Sequence, residues 1–353
     1  MTEHDDARER PTWDDGFHLP GTGLWLDARR PVALAFASDA YGDARGERIV
    51  ATPETVRFLR RRRSRPSFLA SPVRRPFAIG EADLVLLPAG TMPGSAQLLV
   101  RRRGTALLYL RRVLPEPVGL GEPLETPAAE TVLVDAPDGA AATACTRRAE
   151  TLEAIRAWVE ATLERSEIPV LLAEPLATAP LLVARLGRLG CEMRLHSTVY
   201  ESVRIHAALG LATRRAWPLS GPPRAGQLLV LPWGNPRRAV ERNPATASAA
   251  ALRLLGRTLG PRDASAGLPR LRLAVVHDGG APLPPDLHPD QTFLLSLAAG
   301  VPELAAHVQR TGAVDALLAP GTPAALDRIL RDLGVRRVRR VGPPEQLDLT
   351  AAP

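Results

Sequence analysis

Arginine is the residue of this chain best placed to do chemistry. All 45 of its basic side chains are arginine; there is no lysine. They cluster at Arg60, Arg61, Arg62 and Arg63 with Arg65, at Arg101, Arg102 and Arg103, and at Arg336, Arg337, Arg339 and Arg340. A guanidinium grips a phosphate through two parallel hydrogen bonds, so these runs, Arg60 to Arg63 and Arg101 to Arg103 above all, are candidate contacts for a nucleic-acid backbone. The competing reading is compositional. With abundant Ala, Gly, Pro and Leu and two Asn, arginine replaces lysine throughout, and a charge run is a solvated face. The seven histidines form no HxH, HxxxH or HExxH spacing: His4 and His18 fall near the N-terminus, His206 and His307 on predicted helices, His277 at a strand end and His288 in a proline-rich loop. Cys145 and Cys191 sit in no metal-ligand spacing, which argues against a zinc ribbon or a disulfide framework. No G-x-S-x-G, Walker loop or strand-to-helix G-x-G-x-x-G is present.

The elements that must position such residues read as an α/β protein. Hydrophobic residues make up 45% and aromatics 4%, so Leu, Val and Ala build the core. No apolar run reaches membrane-spanning length, and the charged segment Met1 to Arg10 lacks the apolar stretch of a signal peptide, so a cytoplasmic location is expected. Strands are predicted at 23–27, 32–37, 48–51 and 82–87, then a hairpin of 97–101 and 106–110 turning at Arg102-Arg103-Gly104, then a strand at 131–135. Beyond it, helices at 149–165, 177–189 and 199–209 alternate with strands at 169–173, 193–196, 226–231 and 271–276. The C-terminal part predicts strands at 291–296, 315–318 and 335–341 with helices at 302–310 and 323–333.

Within this order, Pro88-Ala-Gly-Thr-Met-Pro-Gly-Ser-Ala-Gln97 resembles the PAGHxxGSAQ motif of the β-CASP group of metallo-β-lactamase nucleases. The layout from about Phe17 to Val341 is similar to that of the bacterial ligase-associated DNA exonucleases, relatives of the mRNA 3′-end processing nucleases. In these families the motif His is a zinc ligand; here it is Thr91. The (S/T)-H-x-H-x-D-H loop reads Ser38, Asp39, Ala40, Tyr41, Gly42, Asp43, Ala44, so Asp39, Tyr41 and Ala44 stand for the three His and Asp43 alone is kept. Arg112 takes the place of the metal-bridging Asp, and Asp135 stands at the family's acidic strand end. Ala298 and Pro320 occupy the positions of the last two His, and His196 is a family-type position in the inserted domain.

The resemblance implies an αββα metallo-β-lactamase sandwich with an inserted β-CASP α/β domain. The sandwich would take residues 13–150 and 286–343, the insert 151–275, with tails at 1–12 and 344–353. It also implies a degenerate centre, because Ala, Pro and Thr do not replace His ligands and an arginine puts a cation where a carboxylate should balance two dications. No catalytic residue, metal or cofactor is then expected, and Arg112 fills the site by pairing with Asp39 or Asp43. The alternative is an active exonuclease rebuilt on carboxylates, with Asp39, Asp43 and Asp135 holding Zn or Mn, or one Mg²⁺. The role implied is a non-catalytic DNA-repair or RNA-processing subunit, partnered by an active nuclease paralogue, a DNA ligase or a helicase and in contact with DNA or RNA, but not with a membrane. A nucleic-acid-binding module without partners is the third reading.

Overall fold

The computed structural model describes residues 11–42, 44–62, 66–136, 147–233, 269–279, 283 and 287–342. Asp43, Arg63, Arg65, Cys145, His4, the side chain of Arg62 and nearly all of both expected tails lie outside the described residues.

Three sheets carry the described chain. The first runs in sequence order through β1 (Thr12–Trp13), β2 (Phe17–Leu19), β3 (Leu24–Leu26), β4 (Val32–Phe36), β5 (Gly46–Ala51) and β6 (Ser67–Ala70). The second contains β7 (Phe77–Ile79), β8 (Ala82–Pro88), β9 (Ala96–Arg102), β10 (Thr105–Leu110), β11 (Thr131–Val134), β18 (Asp315–Leu318) and β19 (Arg337–Arg340), in the order β19-β18-β11-β10-β9-β8-β7. The hairpin between β9 and β10 turns on Arg103 and Gly104, both at positive φ (49° and 81°), the pairing a two-residue hairpin requires.

These two sheets pack face to face. Phe17, Leu24, Leu26 and Phe36 from the first meet Leu84, Leu86, Leu98, Tyr109 and Leu133 from the second in one buried cluster. Helix α1 (Pro53–Arg62) covers the outer face of the first sheet through Val56 and Leu59. Helices α5 (Val301–Arg310) and α6 (Ala324–Asp332) cover the outer face of the second through Leu304, Val308, Leu326 and Leu330. The arrangement is a four-layer α/β/β/α sandwich.

The third sheet has the order β14-β13-β15-β12-β16-β17 and is parallel in every pairing. Its strands are β12 (Ile168–Ala173), β13 (Glu192–Leu195), β14 (Ala216–Pro218), β15 (Gln227–Pro232), β16 (Leu271–His277) and β17 (Gln291–Leu294). Helices α2 (Arg148–Glu164), α3 (Thr178–Leu186) and α4 (Ser197–Ala208) bury one face of it through Ile155, Val159, Leu182, Val183, Val199 and Val203. The boundaries differ from the expected 151–275 and 286–343. The strand from Gln291 pairs with β16, so the inserted unit reaches Leu294 before the chain returns to the sandwich. The helix expected to run to Leu189 tightens into a 3-10 turn at Gly187–Leu189 and stops at Gly190, whose φ of 74° makes it the left-handed cap.

The insert is seated on the sandwich by an apolar seam. Phe58, Met92, Leu114 and Leu120 pack with Leu176 and Leu181, and the Phe58 ring meets His206 edge-on at 4.9 Å. His206 is fully buried, and burial lowers its pKa to about 4 although the Ser202 carbonyl pulls the other way.

Candidate functional site: an arginine–aspartate network

Strands β10, β11 and β18 are parallel neighbours, so their carboxyl ends open on one rim of the second sheet, where ligand sites of α/β sheets gather. That rim carries Arg111 and Arg112 after β10, Asp135 after β11 and Pro320 after β18. The first sheet contributes Asp27 after β3 and Ser38, Asp39 and Tyr41 after β4. Asp27, Asp39 and Asp135 are each about 1% exposed.

Every one of these carboxylates is engaged. Arg112 Nη1 donates to Asp39 Oδ2 at 2.7 Å, while the backbone N–H groups of Tyr41 and Gly42 donate to Oδ1 at 2.8 and 3.1 Å. Burial raises the Asp39 pKa, but the Arg112 and Arg111 charges and these donors outweigh it and hold the carboxyl below its usual value. Arg111 lies between Asp27 (Nη1 to Oδ1, 3.0 Å) and Asp135 (Nε to Oδ2, 3.5 Å). Burial disfavours its charge, yet Asp27 and Asp135 more than compensate, and its pKa is raised. Asp27 also accepts from the Tyr109 hydroxyl at 3.0 Å and from Ser38 N–H at 3.1 Å. The phenol is held well above its normal pKa by burial and by the Asp27 and Asp135 charges. Asp135 accepts from Arg29 at 3.2 Å, a partner that is one-third exposed. With one exposed partner and one long contact, burial governs Asp135 and raises its pKa.

The network continues into the insert. The Arg112 guanidinium stacks over the Tyr41 ring at 4.3 Å, and the Tyr41 hydroxyl donates to Glu174 Oε2 at 2.8 Å. Glu174 accepts the backbone N–H groups of Leu176, Ala177 and Thr178 ahead of α3. Burial raises its pKa against these donors. A continuous chain Asp39–Arg112–Tyr41–Glu174 thus ties the sandwich loop to the start of an insert helix.

The glycine-rich loop that carries Thr91 is a structural bracket. Gly90 has φ of 88°, and a Cβ there would meet the Leu114 carbonyl oxygen at 2.2 Å. The Gly94 carbonyl accepts from Thr52 and Thr55 hydroxyls at 2.7 and 2.8 Å, fixing the loop to the start of α1. Gln97 donates to the Pro88 and Glu125 carbonyls at 2.9 and 2.8 Å and accepts from His307 Nε2 at 3.0 Å. Burial, with a smaller contribution from Arg310, lowers the His307 pKa to about 4.

The remaining expected positions divide. Thr91 is buried, and its hydroxyl makes no hydrogen bond to the described residues. Ala44 is absorbed into the apolar layer under α1. Ala298 closes, with Arg111, Arg112, Val113 and Leu304, a cavity of about 10 Å³, at the lower limit for one water. His196 caps α4, accepting Thr198 N–H at 3.3 Å. Two carboxylates proposed as oxygen ligands, Asp39 and Asp135, are ion-paired with guanidinium groups, Asp39 closely and Asp135 at 3.2 and 3.5 Å. Among the described residues, no three His, Cys, Asp or Glu are grouped to hold a metal ion. This donor set does not fit a two-zinc centre, whose ligands are neutral imidazoles and unpaired carboxylates. Asp27, Arg29, Tyr109, Arg111 and Glu174 complete the site.

Arg148, unsignalled in the sequence, is fully buried at the start of α2. It binds Glu303 with two nitrogens (2.7 and 2.8 Å) and donates to the Ser296 and Ala298 carbonyls at 2.8 and 2.9 Å, holding the loop that returns from the insert.

The arginine runs serve several ends. Arg61 pairs with Glu201 of α4 at 2.9 Å and Arg60 lies over Phe68, so part of the first run joins sandwich to insert. Arg102 and Arg103 both reach Glu81, and Arg102 also reaches the Pro20 carbonyl. Arg101 is exposed on β9. A cleft of about 870 Å³ runs between the two bodies, with Arg185, Arg188 and Arg214 on the insert wall and Glu54 and Glu122 on the sandwich wall. No described helix is long and apolar enough to cross a membrane.

No protein-family model matches the chain. A curated protein of Opitutus terrae (strain DSM 11246 / JCM 15787 / PB90-1), named a probable DNA ligase, is 27% identical to it over 214 residues, which are 57% of this chain and 21% of that protein. The chain therefore spans about a fifth of the length of the curated relative it matches.

Proposed function

We propose that this chain is a non-catalytic DNA-processing subunit: a metallo-β-lactamase-like, β-CASP-like nuclease frame whose metal centre has become an ion-pair network, acting beside a DNA ligase. The observation that carries the reading is the placement of Arg111 and Arg112 among Asp27, Asp39 and Asp135. Two guanidiniums place a charge of +2 where two dications would bring +4, and they supply no water-activating Lewis acid. The four-layer sandwich with an inserted parallel sheet supports the frame. The rebuilt-carboxylate reading needs Asp39 and Asp135 as open ligands, and both are ion-paired.

The partial similarity to a protein named a probable DNA ligase supports a place beside ligation. The chain is not itself suited to form a nucleotide on a side-chain amine, because it has no lysine. The exposed arginines Arg101, Arg188 and Arg214 are its candidate contacts with a phosphate backbone. The test is binding of the purified chain to the DNA ligase of its own cell and to short single- and double-stranded DNA across a salt series. The reading expects a ligase complex and DNA affinity that falls steeply with salt. Absence of both ligase binding and DNA binding at low salt would refute it.

A further inference from the structure

Among the described residues, nothing covers one flank of the sandwich. β6 is the last strand of the first sheet and β7 the last of the second, and the short connection from Ser71 to Pro76 puts both open edges side by side. Edge strands are ordinarily blunted by shortness, charges, prolines, bulges or a covering element, because their free N–H and C=O groups invite another strand. β6 and β7 are short, at four and three residues, but neither Ser-Phe-Leu-Ala nor Phe-Ala-Ile carries a charge or a proline. Leu69 is 45% exposed, one of only two large hydrophobic side chains among the described residues that project so far into solvent. Between the edges runs a groove of about 500 Å³ lined by Leu69, Ala70, Phe77 and Ile79, with Arg75 as its single charged side chain. Arg75 is exposed, and its guanidinium has no hydrogen bond or ion pair among the described residues, whereas its neighbour Arg74 is held by Glu122 and Glu125.

We infer that this flank docks an extended segment of the ligase partner, which adds to β6 as a further strand. The inference rests on the partner reading above. Main-chain hydrogen bonds to the β6 edge would supply affinity, alternate apolar side chains would enter the groove beside Leu69 and Phe77, and a carboxylate would meet Arg75. Four residues of β6 span about 13 Å, so the docked segment needs about four to six residues. The lone cation at the groove mouth favours an apolar segment bearing Asp or Glu over a basic or neutral one.

The experiment measures binding of the purified ligase from the same cell to the full chain and to three variants. Leu69→Lys places on β6 the charge that guarded edges carry, Arg75→Glu reverses the groove cation, and Trp217→Lys puts the same charge on the exposed residue of β14, the edge of the third sheet. All three positions are exposed, and equal thermal unfolding temperatures check that the fold is kept. The expected result is about tenfold or greater weakening by Leu69→Lys and by Arg75→Glu with Trp217→Lys unchanged, and protection of β6 amides from hydrogen exchange in the complex. Binding by the wild-type chain that survives both flank variants overturns this surface and leaves the partner reading standing. No binding by the wild-type chain refutes the partner reading and the surface with it. A self-associating wild-type chain that Leu69→Lys makes monomeric shows a second copy on the flank and overturns the ligase assignment.

Discussion

Replacing Arg112 by methionine should convert the Asp39 site from a stabilising pair into a buried, uncompensated charge. Asp39 is 1% exposed and keeps only the Tyr41 and Gly42 N–H donors once the 2.7 Å guanidinium contact is gone. Breaking a buried pair from one side costs about 3–5 kcal/mol, and the lost stacking on Tyr41 adds about 0.5–2 kcal/mol. The pH dependence separates this from simple cavity formation. In the wild-type chain the Asp39 pKa lies below its unfolded value, so its contribution is present above about pH 4 and disappears as the pH falls through the folded pKa. In Arg112→Met, desolvation remains while its main compensation is gone, so the folded pKa rises above the unfolded one. The penalty is then full at neutral pH and shrinks on acidification through the raised pKa. Urea unfolding at several pH values between 4 and 8 should show the gap between wild type and variant narrowing as pH falls. Asp39→Asn combined with Arg112→Met should recover part of the loss, giving a coupling energy of about 1–3 kcal/mol. A coupling near zero, or a gap independent of pH, would refute the pairing argument.

Three further outcomes follow from the packing. Gly90→Ala should destabilise the fold by at least about 1–3 kcal/mol, because it adds a Cβ 2.2 Å from the Leu114 carbonyl oxygen at a left-handed φ; thermal unfolding measures it. Arg148→Met should cost about 3–5 kcal/mol by stranding Glu303 and two carbonyls, and should raise hydrogen exchange in the loop from Ser296 to Gly300 more than in the third sheet. His206 and His307 each have a folded pKa of about 4 against about 6.5 unfolded, so each contributes up to about 3 kcal/mol that is intact above pH 6.5 and lost as pH falls towards 4. His307→Gln should flatten that slope, read from unfolding midpoints between pH 4 and 7.

Local pattern carried the long elements. The apolar runs at 82–87, 169–173 and 226–231 are buried strands, and the spacing of Ile155 and Val159 predicts the face that α2 buries. β1, β2, β6, β7 and β14 are two to four residues long, too short for a period to register, and they owe their existence to sheet neighbours distant in sequence. At the site, the motif frame pointed to Asp39, Arg112 and Asp135. It gave no hint of Arg111, which looks like a duplicate of its neighbour until the bend after β10 sends the two side chains to different carboxylates. Tyr41 reads as a missing ligand, yet its hydroxyl reaches Glu174, 133 residues away. Gln97 belongs to the most recognisable motif, and its partner His307 stands 210 residues later in a helix with no motif at all. Contacts of that separation are set by topology, and no local pattern announces them.

The most direct test of the replaced metal centre is the metal content of the full chain by mass spectrometry, with cleavage of end-labelled DNA and RNA measured on the same sample in added Zn²⁺ and Mn²⁺. The arginine–aspartate network predicts no stoichiometric metal and no cleavage under either ion. Stoichiometric metal together with cleavage that Asp39→Ala abolishes would contradict it and make these carboxylates ligands of a working nuclease.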